Sequence, residues 1–427
     1  DRTGDIYSLF YEKGLELLKD NGILCYITSN KWMRAGYGEK LRDFFTKYNP
    51  KVLVDLGPGV FENATVDTSI LLIQKSIIKN SNTMDKTFAL KAVTLQKKDK
   101  KNIIEDLKER SVILTKLTSN AWFIGSSDEQ KLKEKIERIG KPLKDWDVKI
   151  FYGIKTGLNE AFIITTEKRK EILANCKDEA ERRRTEAIIK PILRGRDIKR
   201  YYYEWAGLWV IFIPWHFPLH EDTSIQGASE KAEKEFQKQY PAVYNHLLEF
   251  KKPLLKRNKE ETGIRYEWYA LQRCAATYYP EFEKEKVVWG GVVTTKEFFK
   301  LRLGILEGGK YLNAPANFMI TSNTKYFIGY LNSYLNNWFY NNFIGTVLHK
   351  DGIRFYVDDM LKIPLPPITS ENQPIVSQIE SLVDKILSAK KANPQADTKN
   401  FEDEIDHLVY KLYDLTPEEI KIIEGGK

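Results

Sequence analysis

Cysteine is scarce in this sequence, and the three that occur, Cys25, Cys176 and Cys274, lie far apart. An odd and widely spaced set predicts neither a disulfide framework nor a zinc knuckle. Proteins without structural disulfides are typical of reducing compartments. We therefore expect a cytoplasmic protein whose fold depends on buried apolar side chains.

Histidine is equally rare, with five in 427 residues. His216 and His220 are four residues apart, but Pro218 between them prevents the helix that would place both on one face. We expect these histidines at the surface or in packing contacts, and we predict no metal site. Glycine-rich phosphate loops and the G-x-S-x-G nucleophile motif do not occur either. The sequence thus offers no catalytic residue through such a motif.

Long apolar runs are missing as well, since none approaches the roughly 20 residues that a membrane-spanning helix needs. Residues 209–215, WVIFIPW, form a run of strand length. A hydrophobic content of 42% and a charged content of 30% are typical of globular domains that bury a core. We expect two or three such domains and no membrane partner.

Basic charge is what the chain has in excess. Lysine and arginine number 67 against 59 acidic residues, which gives a formal net charge of +8. Such an excess favours a polyanionic partner, but it also serves solubility alone. Nucleic acid is therefore the preferred partner on charge grounds, and a neutral partner stays open.

Helical and strand patterns alternate in the first part of the chain. Ile6, Phe10 and Leu17 recur at helical spacing before Asn21-Gly22 ends the pattern. Apolar strand patterns and one further helix, at residues 38–48, then alternate as in an α/β sheet. The unit is too short to close such a sheet, so we predict half of one in residues 1–110.

The remainder of the chain changes character twice. Residues 111–368 contain short apolar runs separated by loops, which predicts a mixed, strand-rich α+β domain. IPLPPI, residues 363–368, is a proline-rich stop. Helical patterns fill residues 369–427, and we expect these helices to pack on the preceding domain.

One stretch, LRGRDIKRYYYEW at residues 193–205, combines four basic residues with aromatics. Arginine suits bidentate contact with phosphate or a guanine edge, so the stretch predicts DNA contact as readily as a solvated turn. Three other polar loops beside predicted strands carry side chains of the same kind. The candidate DNA-binding residues are Arg194, Arg196, Lys199, Arg200, Lys155, Asn159, Gln272, Arg273, Lys350 and Arg354.

Both ends of the chain resemble one family. GDIYSLFYEKGLELLKDNGILCYITSNKWMRAGYGEKLRDFF and VLVDLGPGVFENATVDTSILLIQKS resemble the latter half of the catalytic domain of gamma-type adenine-specific DNA methyltransferases. That group includes TaqI-like enzymes and type IIG restriction–modification proteins. KPILRGRDIKRY, YFIGYLNSYLNNW, IPLPPI and EIDHLVYKLYDLTPEEIKIIE resemble their TaqI-like C-terminal specificity domain.

The resemblance implies a fold and a function. The fold would be a partial Rossmann-like methyltransferase half, followed by a mixed α+β target-recognition domain and C-terminal helices. The function would be recognition of double-stranded DNA within an S-adenosylmethionine-dependent enzyme that flips out and methylates adenine. We expect a monomer, and we interpret the chain, which begins with Asp, as a piece of a longer protein.

Two aromatic residues match positions with roles in that family. Phe61 matches the ring that stacks on the flipped base, although a loop phenylalanine buried under the sheet is an equal alternative. Phe10 matches a position lining the adenosine pocket, although its helical spacing slightly favours plain core. The family's cofactor loop and Asn-Pro-Pro-Tyr motif do not occur in this sequence, and Asn49-Pro50 is followed by Lys51. We therefore predict no catalytic residue, no bound S-adenosylmethionine and no methylation by this chain alone.

A different class of function stays open. The chain would then be an interaction or specificity-subunit-like module that docks a partner through its C-terminal helices. An apolar stripe there suits such a face, although stripes of this kind more often pack on their own domain. The stripe consists of Leu408, Tyr410, Leu412, Tyr413 and Leu415.

Overall fold

The fold is described from a computed structural model. It covers residues 4–57, 59–61, 66–76, 88–95, 102–273, 279–294, 302–348 and 352–425. Within these ranges, every helix is too short or too polar to cross a bilayer.

Helices and strands are mixed along the whole chain. The helices are α1 Tyr7–Leu17, α2 Glu39–Phe45, α3 Ile103–Glu109, α4 Ser127–Ile139, α5 Asn159–Phe162, α6 Thr166–Ala174, α7 Glu179–Ile188, α8 Glu230–Gln239, α9 Pro241–Leu248, α10 Lys251–Lys256, α11 Thr324–Asn332, α12 Tyr334–Phe339, α13 Val357–Met360, α14 Gln373–Ala392, α15 Lys399–Leu412 and α16 Pro417–Glu424. The strands are β1 Ile23–Ser29, β2 Asn49–Gly57, β3 Thr68–Gln74, β4 Leu90–Thr94, β5 Val112–Leu114, β6 Lys141–Pro142, β7 Lys149–Tyr152, β8 Ile163–Thr165, β9 Ile189–Leu193, β10 Leu208–Ile211, β11 Lys286–Trp289, β12 Val292–Thr294, β13 Leu303–Leu306, β14 Tyr311–Leu312, β15 Asn317–Ile320, β16 Thr346–Leu348, β17 Gly352–Arg354 and β18 Pro364–Leu365.

The chain forms two compact units, each built from separate stretches of sequence. Unit 1 comprises residues 1–138, 338–352 and 416–427, and unit 2 comprises residues 139–337 and 353–415. The boundaries predicted after residues 110 and 368 concern functional modules. The two compact units are defined by contacts within the chain, which do not test boundaries drawn by function. The predicted boundaries therefore stay a prediction.

Unit 1 contains a five-stranded sheet in the order β1-β3-β2-β4-β5. Strand β3 is antiparallel to both β1 and β2, and β2 is parallel to β4. Strands β1, β2 and β4 therefore run in one direction, and the carboxyl ends of β1 and β2 meet at one edge. Because β4 and β5 are also antiparallel, β2–β4 is the one parallel pair among the described strands of this sheet, and mixed sheets of this kind are common in α/β folds. The mixed α/β character predicted from the alternating patterns is confirmed.

The buried face of α1 differs from the predicted one. Tyr7, Tyr11 and Leu15 are buried, whereas Ile6 and Phe10 are exposed. Two tyrosine hydroxyls find partners inside the unit, since Tyr7 bonds the Tyr37 hydroxyl at 2.9 Å and Tyr11 bonds Thr28 Oγ1 at 3.0 Å. A buried tyrosine needs such a partner, and only the tertiary structure provides it. The helical spacing of apolar residues in the sequence therefore predicted the wrong buried face for this helix.

Unit 2 contains two four-stranded sheets, ordered β14-β9-β10-β8 and β13-β11-β15-β7. Neighbouring strands are antiparallel except β14, which lies parallel to β9. Ile192 and Val210 from the first sheet share one buried cluster with Val288 and Phe318 from the second. This shared core fixes the two sheets, and with them the loops at their ends.

The C-terminal helices α14 and α15 pack against α11 in the same unit. Leu408, Tyr410 and Tyr413 are buried there. The Tyr413 hydroxyl donates to the Pro364 carbonyl at 2.9 Å and lies 2.8 Å from the Tyr330 hydroxyl. The apolar stripe is thus mostly used within its own unit.

Gly329 allows α11 to approach α14 closely. A Cβ at this position would lie 2.6 Å from Ile379 Cγ2 and 3.1 Å from Val383 Cγ2. We expect Gly329→Ala to lower the free energy of unfolding by roughly 1–3 kcal/mol through overpacking. This loss outweighs the gain of about 1 kcal/mol in helix propensity. Chemical denaturation measures the change.

Gly36→Ala is the control, because a Cβ there meets nothing within 4 Å. It should leave the denaturation midpoint unchanged or raise it slightly, because alanine restricts the unfolded chain more than glycine does. A midpoint for Gly329→Ala at or above that of the parent would contradict the close packing of α11.

Candidate nucleic-acid interface

Strand ends from both sheets of unit 2 meet in one place. The Ile154 amide, after β7, donates to the Leu312 carbonyl of β14 at 2.7 Å. The Asn313 amide donates to the Leu193 carbonyl of β9 at 2.9 Å, and the Ala314 amide donates to the Ile154 carbonyl at 3.0 Å. The loops that follow β7, β9 and β14 are therefore joined by backbone hydrogen bonds.

Glycines allow these loops to touch without intervening side chains. A Cβ at Gly195 would lie 3.3 Å from the Cα of Gly290, which follows β11. A Cβ at Gly291 would lie 2.2 Å from the Pro315 carbonyl oxygen. Only glycine permits this approach. We call residues 153–159, 194–197, 271–273, 290–291 and 313–316 the loop cluster.

Six of the predicted DNA-binding residues fall in the loop cluster, and four of them come from two of its loops, 153–159 and 271–273. Lys155 and Arg273 exchange backbone hydrogen bonds of 3.3 and 3.0 Å, and the Gln272 amide donates to the Thr156 carbonyl at 3.3 Å. The Thr156 hydroxyl donates to Asn159 Oδ1 at 2.6 Å. Lys155, Asn159 and Arg273 are exposed, and Gln272 is half-buried. Two loops distant in sequence thus form one polar, basic surface.

Arg257 lies beneath this surface, and no sequence pattern singled it out. Its guanidinium donates to the Thr156 carbonyl at 2.7 Å and to the Trp268 carbonyl at 3.0 Å, and it also bonds the Ala270 carbonyl. Burial lowers the pKa of the Arg257 guanidinium to about 10. Because its donors are directed at backbone carbonyls, Arg257 holds the two loops in place.

The four basic residues of the RGRDIKR turn have different surroundings. Arg194 forms a bidentate pair with Asp197, with Nε to Oδ2 at 2.9 Å and Nη2 to Oδ1 at 2.7 Å. Hydrogen bonding to Asp197 raises the pKa of Arg194. Lys199 Nζ donates to the Arg196 carbonyl at 3.1 Å and lies 3.4 Å from Glu204. Arg194 and Lys199 are therefore occupied within the turn.

Arg200 is held by helix α15 and by the end of α11. Its Nε donates to Glu402 Oε2 at 2.5 Å, and its Nη1 donates to the Asn332 carbonyl at 2.5 Å. Arg196 is exposed, and within the described ranges its side chain has no hydrogen-bond or ion-pair partner. The sequence treated the four residues alike. The structure distinguishes their surroundings, because among these four only Arg196 is exposed without a partner in the described residues, and the DNA-binding role of all four stays a prediction.

The last two candidate DNA contacts, Lys350 and Arg354, lie in or beside a gap in the described residues. Lys350 lies outside the described residues, and Arg354 is described only as the last residue of β17. The next residue, Phe355, donates its amide to the Gly291 carbonyl at 3.0 Å. This bond places the segment that follows Arg354 beside the loop cluster.

In unit 1, the predicted aromatic residues lie at the edge where β1 and β2 end. Asp55 is buried in β2 and accepts from Asn30 Nδ2 at 2.9 Å and from the Gly57 amide at 3.1 Å. Phe61 follows this strand and is 45% exposed. The alternative of a phenylalanine buried under the sheet is therefore wrong.

Phe10 lies at the same end of the sheet, because the neighbouring Tyr11 bonds Thr28 near the carboxyl end of β1. Phe10 is 57% exposed, so the alternative that it belongs to the core is wrong too. Ligands of open α/β sheets bind at the carboxyl ends of the strands. The predicted stacking and cofactor roles of the two rings stay predictions.

Two protein families match this chain. Residues 1–61 match the Eco57I restriction-modification methylase family, and residues 190–365 match the TaqI-like C-terminal specificity domain. The second match contains Arg196, Gln272 and Arg273, which belong to the loop cluster.

Curated relatives align along nearly the whole chain. It is 23% identical to the type II restriction enzyme and methyltransferase RM.Eco57I of Escherichia coli, over 96% of this chain and 42% of that protein. It is 22% identical to the type II methyltransferase M.BstVI of Geobacillus stearothermophilus, over 99% of this chain and 69% of that protein. The chain thus spans less than half of the length of RM.Eco57I.

A solved structure shares the fold. The type IIL restriction–modification enzyme MmeI, solved in complex with DNA, superposes with a TM-score of 0.58 at 12% identity. The superposition covers 98% of this chain and 51% of the MmeI chain.

The different surroundings of Arg200 and Arg196 have a measurable consequence. Arg200→Ala leaves Glu402 without its guanidinium partner and frees the Asn332 carbonyl. We expect the free energy of unfolding to fall by roughly 1–3 kcal/mol. Arg196→Ala removes an exposed side chain and should change it by less than about 0.5 kcal/mol. Equal denaturation midpoints for the two variants would contradict these assignments.

Proposed function

The chain is homologous to type II restriction–modification methyltransferases and carries a TaqI-like C-terminal specificity domain, and from this premise we propose that it recognises double-stranded DNA through the loop cluster. The observation that carries the proposal is the convergence of cationic and amide side chains on rigid strand ends. Loops fixed by a scaffold are where binding residues concentrate. Sequence-specific DNA recognition is the role that this surface supports best.

The side chains of the loop cluster divide by the DNA groups that suit them. Lys155, Arg196 and Arg273 would contact phosphates, which fix the register of a protein on the duplex. Asn159 and Gln272 carry amides, which pair bidentately with adenine in the major groove. Both kinds of contact need a fixed backbone, and the carbonyl bonds of Arg257 help to supply it.

Arg194, Lys199 and Arg200 take a supporting part in this proposal. Each donates to a carboxylate or a carbonyl of the chain, so a phosphate would have to compete with a partner already in place. They orient the turn that presents Arg196. Lys350 and Arg354 remain proposed contacts, because Phe355, which follows Arg354, lies beside the loop cluster.

For unit 1, we propose the latter half of a Rossmann-like, adenine-specific methyltransferase domain. The common direction of β1, β2 and β4 and the two exposed rings at their carboxyl edge support this. Phe61 would stack on an adenine flipped out of the duplex, and an aromatic face contributes roughly 1–3 kcal/mol to such a base. Phe10 would form one wall of the adenosine pocket. Residues 1–110 would form this module, residues 111–368 the recognition module and residues 369–427 its helical support.

We propose that this chain alone does not bind S-adenosylmethionine, the methyl donor expected in this family. Phe10 offers one apolar wall. The buried carboxylate at the same edge, Asp55, already accepts bonds from Asn30 and Gly57. No step of methyl transfer is therefore assigned to this chain, and we propose that it is catalytically inactive alone.

Docking of a partner through the C-terminal helices gains no support from the structure. Leu408, Tyr410 and Tyr413, which would form the face, are buried against their own unit. DNA recognition is thus the one function proposed.

The proposal predicts DNA binding that depends on salt and on Arg196. The chain should bind short duplexes of randomised sequence at low salt, and affinity should fall steeply as salt displaces it from phosphates. Arg196→Ala should weaken binding and reduce the slope of log affinity against log salt by about one. Fluorescence anisotropy on a labelled duplex pool measures both quantities.

Arg183→Ala is the matched control, because Arg183 lies on α7 of the same unit, is 79% exposed and pairs with Glu179. It removes one arginine away from the loop cluster and should leave the affinity unchanged. Absence of binding at low salt would refute the proposed function. An equal loss in both variants would refute the assignment to the loop cluster.

The proposed inactivity is tested by incubating the 427-residue chain with duplex DNA and S-adenosylmethionine carrying a labelled methyl group. We expect no label in the DNA, because the Asn-Pro-Pro-Tyr motif does not occur in the sequence. Incorporation above that of a heat-denatured sample would show that this chain methylates without the motif.

A further inference from the structure

Two exposed tyrosines border the loop cluster, and neither is among the candidate DNA contacts. Tyr152 is the last residue of β7 and is 59% exposed, and Tyr356 is 45% exposed. Large aromatic rings usually contribute to cores or to interfaces. Two such exposed rings beside one basic surface are candidates for contact with a ligand.

Backbone pairing places both tyrosines at the same end of one sheet. In β15, Asn317 pairs with Tyr152 on one side and with Trp289 of β11 on the other. Tyr152 is thus two strands, or roughly 10 Å, from the end of β11. Tyr356 adjoins Phe355, whose amide donates to the Gly291 carbonyl just past that strand at 3.0 Å.

The neighbours of the two tyrosines already fill the interior. The Phe151 ring packs on Phe318 with centroids 5.2 Å apart, and Phe355 is buried. Because side chains alternate along an extended backbone, Tyr152 points away from the side that Phe151 occupies. Val292, the first residue of β12, follows Gly291 directly and is also partly exposed.

We propose that Tyr152 and Tyr356 contact the faces of DNA bases, next to the phosphate and base-edge contacts of the loop cluster. This inference rests on the proposed function and extends it to a non-ionic part of the binding energy. Apolar and aromatic side chains that enter between base steps, or stack on an unstacked base, gain contact area that charged residues do not supply. The cations at positions 155, 196 and 273 would hold the backbone while the rings approach the bases.

The surroundings favour DNA bases over an apolar protein partner. Lys155 follows Tyr152 by three residues and is exposed, and Arg273 pairs with Lys155 through the backbone. A protein partner would bring its own side chains against these cations. A duplex offers negative phosphates and, where a base step opens or a base leaves the stack, flat apolar faces, which matches rings set among cations.

The test compares Tyr152→Ala, Tyr356→Ala and Trp205→Ala in the full chain with the labelled duplex pool. Each tyrosine variant should bind roughly 5- to 100-fold more weakly. The slope of log affinity against log salt should stay at the parent value, because tyrosine neutralises no phosphate. Trp205 is a matched exposed aromatic of unit 2, 40% exposed and packed on Trp209, and its removal should have no effect.

Tyr152→Phe and Tyr356→Phe keep the ring and should retain the parent affinity, which separates base contact from a hydroxyl hydrogen bond. Thermal midpoints equal to the parent in all variants would show that the fold is intact. Tyrosine variants that bind like the parent, while Arg196→Ala binds more weakly, would overturn this inference and leave the proposed function standing. If the parent chain does not bind DNA, both this inference and the proposed function are refuted.

Discussion

Contact between backbones, without intervening side chains, is the constraint on which the candidate interface depends. The loops after β7, β9, β11 and β14 are joined through amide–carbonyl bonds and through glycines that meet within van der Waals distance. The tightest of these approaches are at Gly291, where a Cβ would lie 2.2 Å from the Pro315 carbonyl oxygen, and at Gly153, where it would lie 2.8 Å from the Leu312 carbonyl oxygen. Because the backbones touch, any movement of one loop displaces the others, and side chains on separate loops keep fixed separations.

Arginine performs three different tasks around these loops, and its surroundings decide which. Arg257 satisfies buried carbonyls and stabilises two loops from below. Arg194 and Arg200 pair with carboxylates and fix the turn between them. Arg196, with no such partner among the described residues, keeps its donors available. A guanidinium that already has a carboxylate within 3 Å gains little from a phosphate. The number of basic residues in a sequence therefore overestimates the number that can contact DNA.

The two units present aromatic rings in comparable positions. Phe10 and Phe61 lie near the carboxyl edge of the sheet in unit 1, and Tyr152 lies at a strand end in unit 2. Exposure of a large ring loses the free energy of burial, about 25 cal/mol per Å² of apolar surface. The base contacts proposed above would give such exposed rings a ligand, because an unstacked base offers an aromatic face.

The alternation of helices and strands, the resemblance to a methyltransferase family, the basic character and most of the loops that carry candidate contacts could be predicted from the sequence. These features are local, since periodicity, turn residues and charge can be read within a short window. The fold was needed to show that Lys155 lies beside Arg273, that Arg257 holds both loops, and that Arg196, unlike Arg194 and Arg200, has no internal partner among the described residues. It also decided that α1 buries tyrosines and exposes Phe10. The physical reason is that partner choice depends on residues far apart in the chain: a hydroxyl or guanidinium is buried where a distant acceptor meets it, and is left at the surface where none does.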